Sequence, residues 1–131
     1  MDGILYKTSN YSSQLTIASS VYYRESSQPT WYFFYEALSV NVSVTGNYSF
    51  VFNSMINTYG SIYNNSFNAS TPSTNLLASN DDDAGQYQFL LPIFMETTTT
   101  YVLVVTTSLP GQTAPFSIIA TGIGFVTFTL I

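Results

Sequence analysis

Short runs in which every second residue is apolar, each closed by glycine, asparagine, serine or proline, recur along this chain and point to strands. Successive side chains of a strand face opposite ways, so a period of two marks one buried face. From Asn47 to Asn53 the signal is clearest: Tyr48, Phe50 and Phe52 share one face, and Asn47, Ser49 and Asn53 share the other with Val51. Just before it, Val40, Val42 and Val44 oppose Ser39, Asn41, Ser43 and Thr45, and Gly46 supplies a turn. These two segments are expected to pair as a hairpin. Further strands are expected at Leu15–Ala18, Trp31–Glu36, Tyr59–Tyr63, Asn75–Ser79, Gln86–Phe94, Tyr101–Thr107, Pro115–Thr121 and Phe125–Ile131. No comparable stretch keeps a 3.6-residue apolar period.

About eight or nine short strands in 131 residues suit one domain, an all-β, jelly-roll-like two-sheet β-sandwich. Residues 1–24 read as an extended N-terminal arm and candidate donor strand, with weak alternation over the first thirteen, and residues 25–131 read as the sandwich. Asn64–Thr74, rich in Asn, Ser, Thr and Pro, reads as an exposed loop. Two runs, Trp31–Tyr35 and Tyr101–Val105, are apolar on both faces. Such a strand is either covered on both sides or meets another chain.

Composition narrows the function. Lys7 and Arg24 are the only cations, against seven acids and a net charge of -5, so nucleic acid and anionic membrane surfaces are poor partners. Cysteine and histidine are absent, which removes disulfides, thiol nucleophiles, His-assisted catalysis and nearly all zinc, haem and iron–sulfur sites. No run of about 18 apolar residues offers a spanning helix. The proton carriers are Asp2, Glu25, Glu36, Glu96 and the run Asp81–Asp83; no spacing among them selects a catalytic pair, and the chain reads as a non-enzyme.

Three features carry chemistry. The turn Asn80-Asp81-Asp82-Asp83-Ala84-Gly85 sets three carboxylates side by side. Calcium, which takes six to eight oxygens at flexible geometry, would relieve their repulsion, although consecutive side chains diverge and only two reach one ion easily. EF-hand spacing is absent, and a solvated acidic turn that limits aggregation is the plainer reading. No cofactor is otherwise called for. Five sequons follow N-x-[ST], at Asn10, Asn41, Asn47, Asn64 and Asn68, on polar strand faces, the loop and the arm. They suggest N-linked glycans and an extracellular, secreted protein. The aromatic stripe Trp31-Tyr32-Phe33-Phe34-Tyr35 suits core packing, with stacking on sugar rings as the alternative.

The order Asn57-Thr58-Tyr59-Gly60-Ser61-Ile62-Tyr63, Asn75-Leu76-Leu77-Ala78-Ser79-Asn80-Asp81-Asp82-Asp83, Leu91-Pro92, Thr99–Val105 and Phe116–Ile119 resembles the bacterial pre-peptidase C-terminal domain, a secreted β-sandwich appended to exported enzymes. The resemblance spans roughly Val40 to Thr121. It implies an extracellular sandwich, some of whose relatives bind calcium, sugar or collagen, and it implies that Asn57 lies beside the acidic turn. Asn57 stands where that family carries aspartate, and no peptidase accompanies the domain.

Two functions are therefore expected. The first is a structural protomer of an extracellular, glycosylated fibril, in which identical subunits join head to tail by β-strand donation. Leu15, Ile17, Val21 and Tyr23 alternate and form the candidate assembly interface, with Phe125–Ile131 as an alternative donor. The second is a calcium-dependent carbohydrate- or collagen-binding module of a secreted protein.

Overall fold

The computed structural model describes residues 5–24, 31–81 and 90–131. Within them lie ten strands: β1 (Lys7–Leu15), β2 (Ser20–Tyr22), β3 (Phe33–Val42), β4 (Gly46–Ser54), β5 (Thr58–Asn64), β6 (Leu76–Asn80), β7 (Leu90–Met95), β8 (Tyr101–Thr107), β9 (Ala114–Gly122) and β10 (Val126–Leu130). They form two antiparallel sheets packed on each other, the expected all-β sandwich. One sheet has the order β1-β9-β4-β7; the other runs β10-β3-β8-β5-β6, with β2 beside the start of β3. No helix among the described residues is long and apolar enough to cross a membrane.

Two-residue periodicity becomes burial along β4, where Tyr48, Phe50 and Phe52 are buried and Asn47 and Asn53 exposed. The same row meets Leu38, Val40 and Val42 of β3, Leu103 and Val105 of β8, and Ile118 of β9 in the main core. Burying each such side chain is worth about 1.5–3 kcal/mol, so this cluster is the main source of stability.

The hairpin expected across Gly46 does not form. β3 pairs with β8 and β10, whereas β4 pairs with β7 and β9 in the facing sheet. The chain crosses the sandwich at residues 43–45, so the apolar rows of β3 and β4 pack against each other across the core. Alternation identified both strands but carries no information about which strand lies beside which.

Tyr101–Val105 is covered on both faces within the chain; of the other run, Phe33 and Phe34 are covered while Trp31 and Tyr32 are not. Tyr101, Leu103 and Val105 enter the main core, while Val102 and Val104 turn outward into a second cluster with Tyr22, Phe33 and Tyr63. A lid closes that cluster. Phe67 sets its ring 4.8 Å from Tyr63, 5.3 Å from Tyr35 and 5.6 Å from Tyr22, centroid to centroid. The loop that carries it is pinned at both ends: the Asn65 amide donates to the Thr100 carbonyl (2.9 Å), and the Asn64 amide donates to the Asn75 carbonyl (2.9 Å). Asn65 (φ 70°) and Asn75 (φ 66°) adopt the left-handed conformation that asparagine tolerates better than other side-chain-bearing residues. Tyr63 reaches back to donate its hydroxyl to the Pro72 carbonyl.

Residues 7–15, expected within an arm outside the sandwich, form β1 and pair with β9 from Lys7↔Gly122 to Leu15↔Ala114. The apolar pattern missed this strand because its inward row is Ser9, Tyr11 and Ser13 before reaching Leu15. The sequence Leu15-Thr16-Ile17-Ala18 is likewise no strand: β1 ends at Leu15, and a turn follows in which the Ser19 amide donates to the Thr16 carbonyl (3.0 Å).

Candidate functional site

β1 closes one open side of the sandwich, and it does so with hydroxyls. Its outward residues Thr8, Asn10, Ser12 and Gln14 are exposed, and its inward row is half-buried up to Leu15, which is buried. Each inward hydroxyl bonds to the opposite sheet. Ser9 Oγ accepts from the Val126 amide (2.9 Å), the Tyr11 hydroxyl donates to Glu36 Oε1 (2.7 Å), and Ser13 Oγ donates to Glu36 Oε2 (2.9 Å). The Tyr11 ring packs 5.7 Å from Phe128 and 6.3 Å from Phe116. Burial and then the adjacent Glu36 push the Tyr11 hydroxyl up to about 12.

Glu36 sits on β3 among residues that otherwise face the core, between Phe34 and Leu38. The chain's two cations are engaged elsewhere: Lys7 lies over Phe125 (5.8 Å) and Arg24 lies between Phe33 (4.0 Å) and Tyr59 (3.9 Å). Hydroxyls on β1 therefore answer this carboxylate. The edge of β3 at this point is shared, with β10 pairing along Leu38–Val42 and β2 along Phe33–Tyr35. Between them, the Ile131 amide donates to the Ala37 carbonyl (3.0 Å). Sequence reasoning missed the Glu36 cluster, although an acid inside the apolar stretch from Trp31 to Leu38 was a visible signal.

The residues singled out for assembly do not share one strand. Leu15 ends β1 and is buried, Ile17 is 88% exposed in the turn, Val21 lies on β2, and Tyr23 follows β2 with its side chain exposed. β1 and β2 belong to opposite sheets, so the two halves of this set cannot act as one continuous ladder in this fold.

A second cluster surrounds Ser108. Its amide donates to the Asn57 carbonyl (3.0 Å), and its hydroxyl donates to Asp81 Oδ2 (3.1 Å). Ser108 thus links Asn57 to Asp81, the first aspartate of the run Asp81–Asp83. Asn57 Oδ1 and Asp81 Oδ1 are both sealed from solvent with no hydrogen-bond partner. Arg24 ties into the same place, donating to the carbonyls of Thr107 (2.8 Å) and Ser108 (3.2 Å). Asp82 and Asp83 lie outside the described residues, and among the described residues no three acidic side chains converge. Beside Arg24 opens a cleft of about 460 Å³, bounded by Tyr59, Tyr63 and residues 70–74.

All five sequon asparagines, Asn10, Asn41, Asn47, Asn64 and Asn68, are exposed. Two use their side chains: Asn41 Oδ1 accepts from Thr100 Oγ1 (3.0 Å), and Asn68 Oδ1 accepts from the Ser70 amide (2.9 Å). The aromatic stripe divides. Phe34 enters the main core and Phe33 the second cluster, while Trp31 and Tyr32 stay exposed.

No family model matches the chain, and no curated protein matches it.

Proposed function

We propose that this chain is a structural protomer of an extracellular, glycosylated homopolymer, in which β1 of one subunit completes the open side of the next. The observation that carries this reading is the chemistry of β1. Nine residues pair with β9 over their whole length, yet only Leu15 is buried, and ring contacts are limited to Tyr11 and to Lys7 over Phe125. Backbone bonds and three hydroxyl bonds hold the strand. A second copy supplies the same bonds, so exchange leaves their number unchanged. The turn at Thr16–Ser19 is the hinge, and exchange from subunit to subunit in one direction propagates rather than closes. Exposed asparagines on both sheets fit glycans that keep the sides of such a filament soluble. No catalytic role is proposed for the remaining acids.

Electron microscopy of the native secreted material, with light scattering at several concentrations, tests this. Filaments with a regular axial repeat are expected, and deleting residues 1–15 should abolish them. Dispersed particles of one domain's mass at every concentration overturn the reading. Intact mass before and after glycan removal tests the sequons separately.

A second reading rests on the sealed oxygens of Asn57 and Asp81. Two buried acceptors without donors are costly, and a hard cation such as calcium would satisfy both. This is where the likeness to the pre-peptidase C-terminal domain implied a site, and the cleft beside Arg24 would be the adjoining carbohydrate groove. The fixed positive charge of Arg24 on the same Ser108 ranks this reading second. Calorimetric titration with calcium decides it: a saturable heat lost in Asp81→Asn supports the site, and no heat rejects it.

A further inference from the structure

We infer that Glu36 fixes the register of the strand that fills the open side of the sandwich, by accepting one hydrogen bond from a tyrosine and one from a serine two residues on. The occupant is this chain's own Tyr11 and Ser13 or, on the reading that β1 exchanges, those of a second copy.

Backbone ladders are repetitive, so a strand is placed by its side chains. In most sandwiches a row of large apolar residues does this. β1 has no such row, and its inward positions are Lys7, Ser9, Tyr11, Ser13 and Leu15. A slip of one residue would turn Asn10, Ser12 and Gln14 inward and put Leu15 in water. Slips of two residues keep the faces but fail at Glu36. One direction brings Leu15 to the place of Ser13, against a carboxylate oxygen. The other brings Ser9 to the place of Tyr11, too short to reach the oxygen now bonded at 2.7 Å, and brings the Tyr11 ring into the space of a serine. Each slip leaves a half-buried charged oxygen without its donor, which costs more than leaving a neutral acceptor bare. Only the observed register gives both oxygens a donor while also seating Leu15 in the core and Ser9 under the Val126 amide. An inward carboxylate also rejects an apolar strand from elsewhere, because that strand would bury the charge unanswered.

The chain has no cysteine, so register can be read by engineered cross-links in the full-length protein. Thr8 pairs with Thr121, so Thr8→Cys with Thr121→Cys reports the native register. Thr8→Cys with Ile119→Cys reports a slip of two residues. With Glu36 intact the first pair should close and the second should not. In Glu36→Leu the ratio of native to slipped cross-link should fall about tenfold or more. Glu36→Gln should restore most of it, since an amide can accept from Tyr11 and donate to Ser13 Oγ. If Glu36→Leu fails to fold by circular dichroism, the double variant Tyr11→Phe with Ser13→Ala removes the same bonds from the strand's side and is expected to slip likewise. A ratio unchanged in whichever variant folds overturns the inference. The mass of the cross-linked product separates the two proposals: within one chain or between two chains tests exchange, while native or slipped tests Glu36.

Discussion

Gly122 on β9 stands opposite Tyr48 on β4, and the tyrosine ring occupies the space that a side chain at 122 would need. A Cβ built on Gly122 would lie 2.1 Å from Cδ2 and 2.5 Å from Cε2 of that ring. Tyr48 cannot withdraw easily, because it is buried and its hydroxyl donates to the Val44 carbonyl where the chain crosses between sheets. Gly122→Ala should therefore destabilise the fold by about 3 kcal/mol through overpacking. Urea unfolding would show this as a lower midpoint with unchanged slope.

Phe67 is the cover of the second aromatic cluster. Phe67→Ala should cost about 2–3 kcal/mol, near the low end for phenylalanine because the ring is only half-buried. The main core should persist. Near-ultraviolet circular dichroism should lose intensity from the tyrosines it touches, and amide exchange should quicken in residues 64–75 before it does in β4 or β9.

Alkaline pH should open the molecule. Burial raises the hydroxyl pKa of Tyr22 above its ordinary value, and burial pushes Tyr63 to about 12, while burial and Glu36 bring Tyr11 to about 12. A group whose folded pKa is raised contributes stability that is complete below its unfolded value, near 10, and is lost as pH climbs through the folded value. Stability should therefore be flat from pH 8 to about 9.5 and decline between 10 and 12. Tyr11→Phe should remove part of that decline and start from lower stability, measured by urea titration at each pH.

Arg24 is a flat clamp rather than a simple charge. It lies between two rings and donates to two successive carbonyls on β8 and beyond, so Arg24→Lys should cost about 1–2 kcal/mol despite keeping the charge. Thermal unfolding would read the loss, and a salt dependence close to that of the parent chain would confirm that stacking and geometry dominate.

Thr106 is fully buried with its hydroxyl donated to the Phe34 carbonyl (2.6 Å), joining β8 to β3. Thr106→Val keeps the shape and removes the donor, so about 1 kcal/mol should be lost in the same measurement.

What the sequence disclosed follows from which physical signal each element carried. Tyr101–Thr107 was legible to the residue because every one of its side chains is buried and turn residues bound it. β9 and β10 were legible to within a residue at each end, β9 because its buried and less buried residues alternate and β10 from its strand-favouring residues after Gly122 and Gly124. β1 was not, because a row of serines and a tyrosine satisfies the opposite sheet by hydrogen bonds and leaves no hydrophobic period to detect. The partners of Val40–Val42 and Tyr48–Phe52 were misassigned because nearness in sequence favoured a hairpin that facing sheets made unnecessary. The Asn57 carbonyl and the Asp81 carboxylate both bond to Ser108, and Glu36 acquires its significance only once the fold brings Tyr11 and Ser13 to it.

The strand order sets a timetable for folding. Among the eight ladders described, only β2 with β3 and β5 with β6 join strands consecutive in the chain. β4 must wait for β9, and β3 for β8 and β10. β1 is synthesised before the other nine described strands and finds its partner almost last, across the separation from Lys7 to Gly122. Folds dominated by such distant pairings close slowly and pass through states with unfilled edges. For much of that interval the β9 edge stands open while β1 is still loose. On the proposed exchange, local chain concentration in that interval would decide whether the edge is filled from within or by a neighbour's first strand.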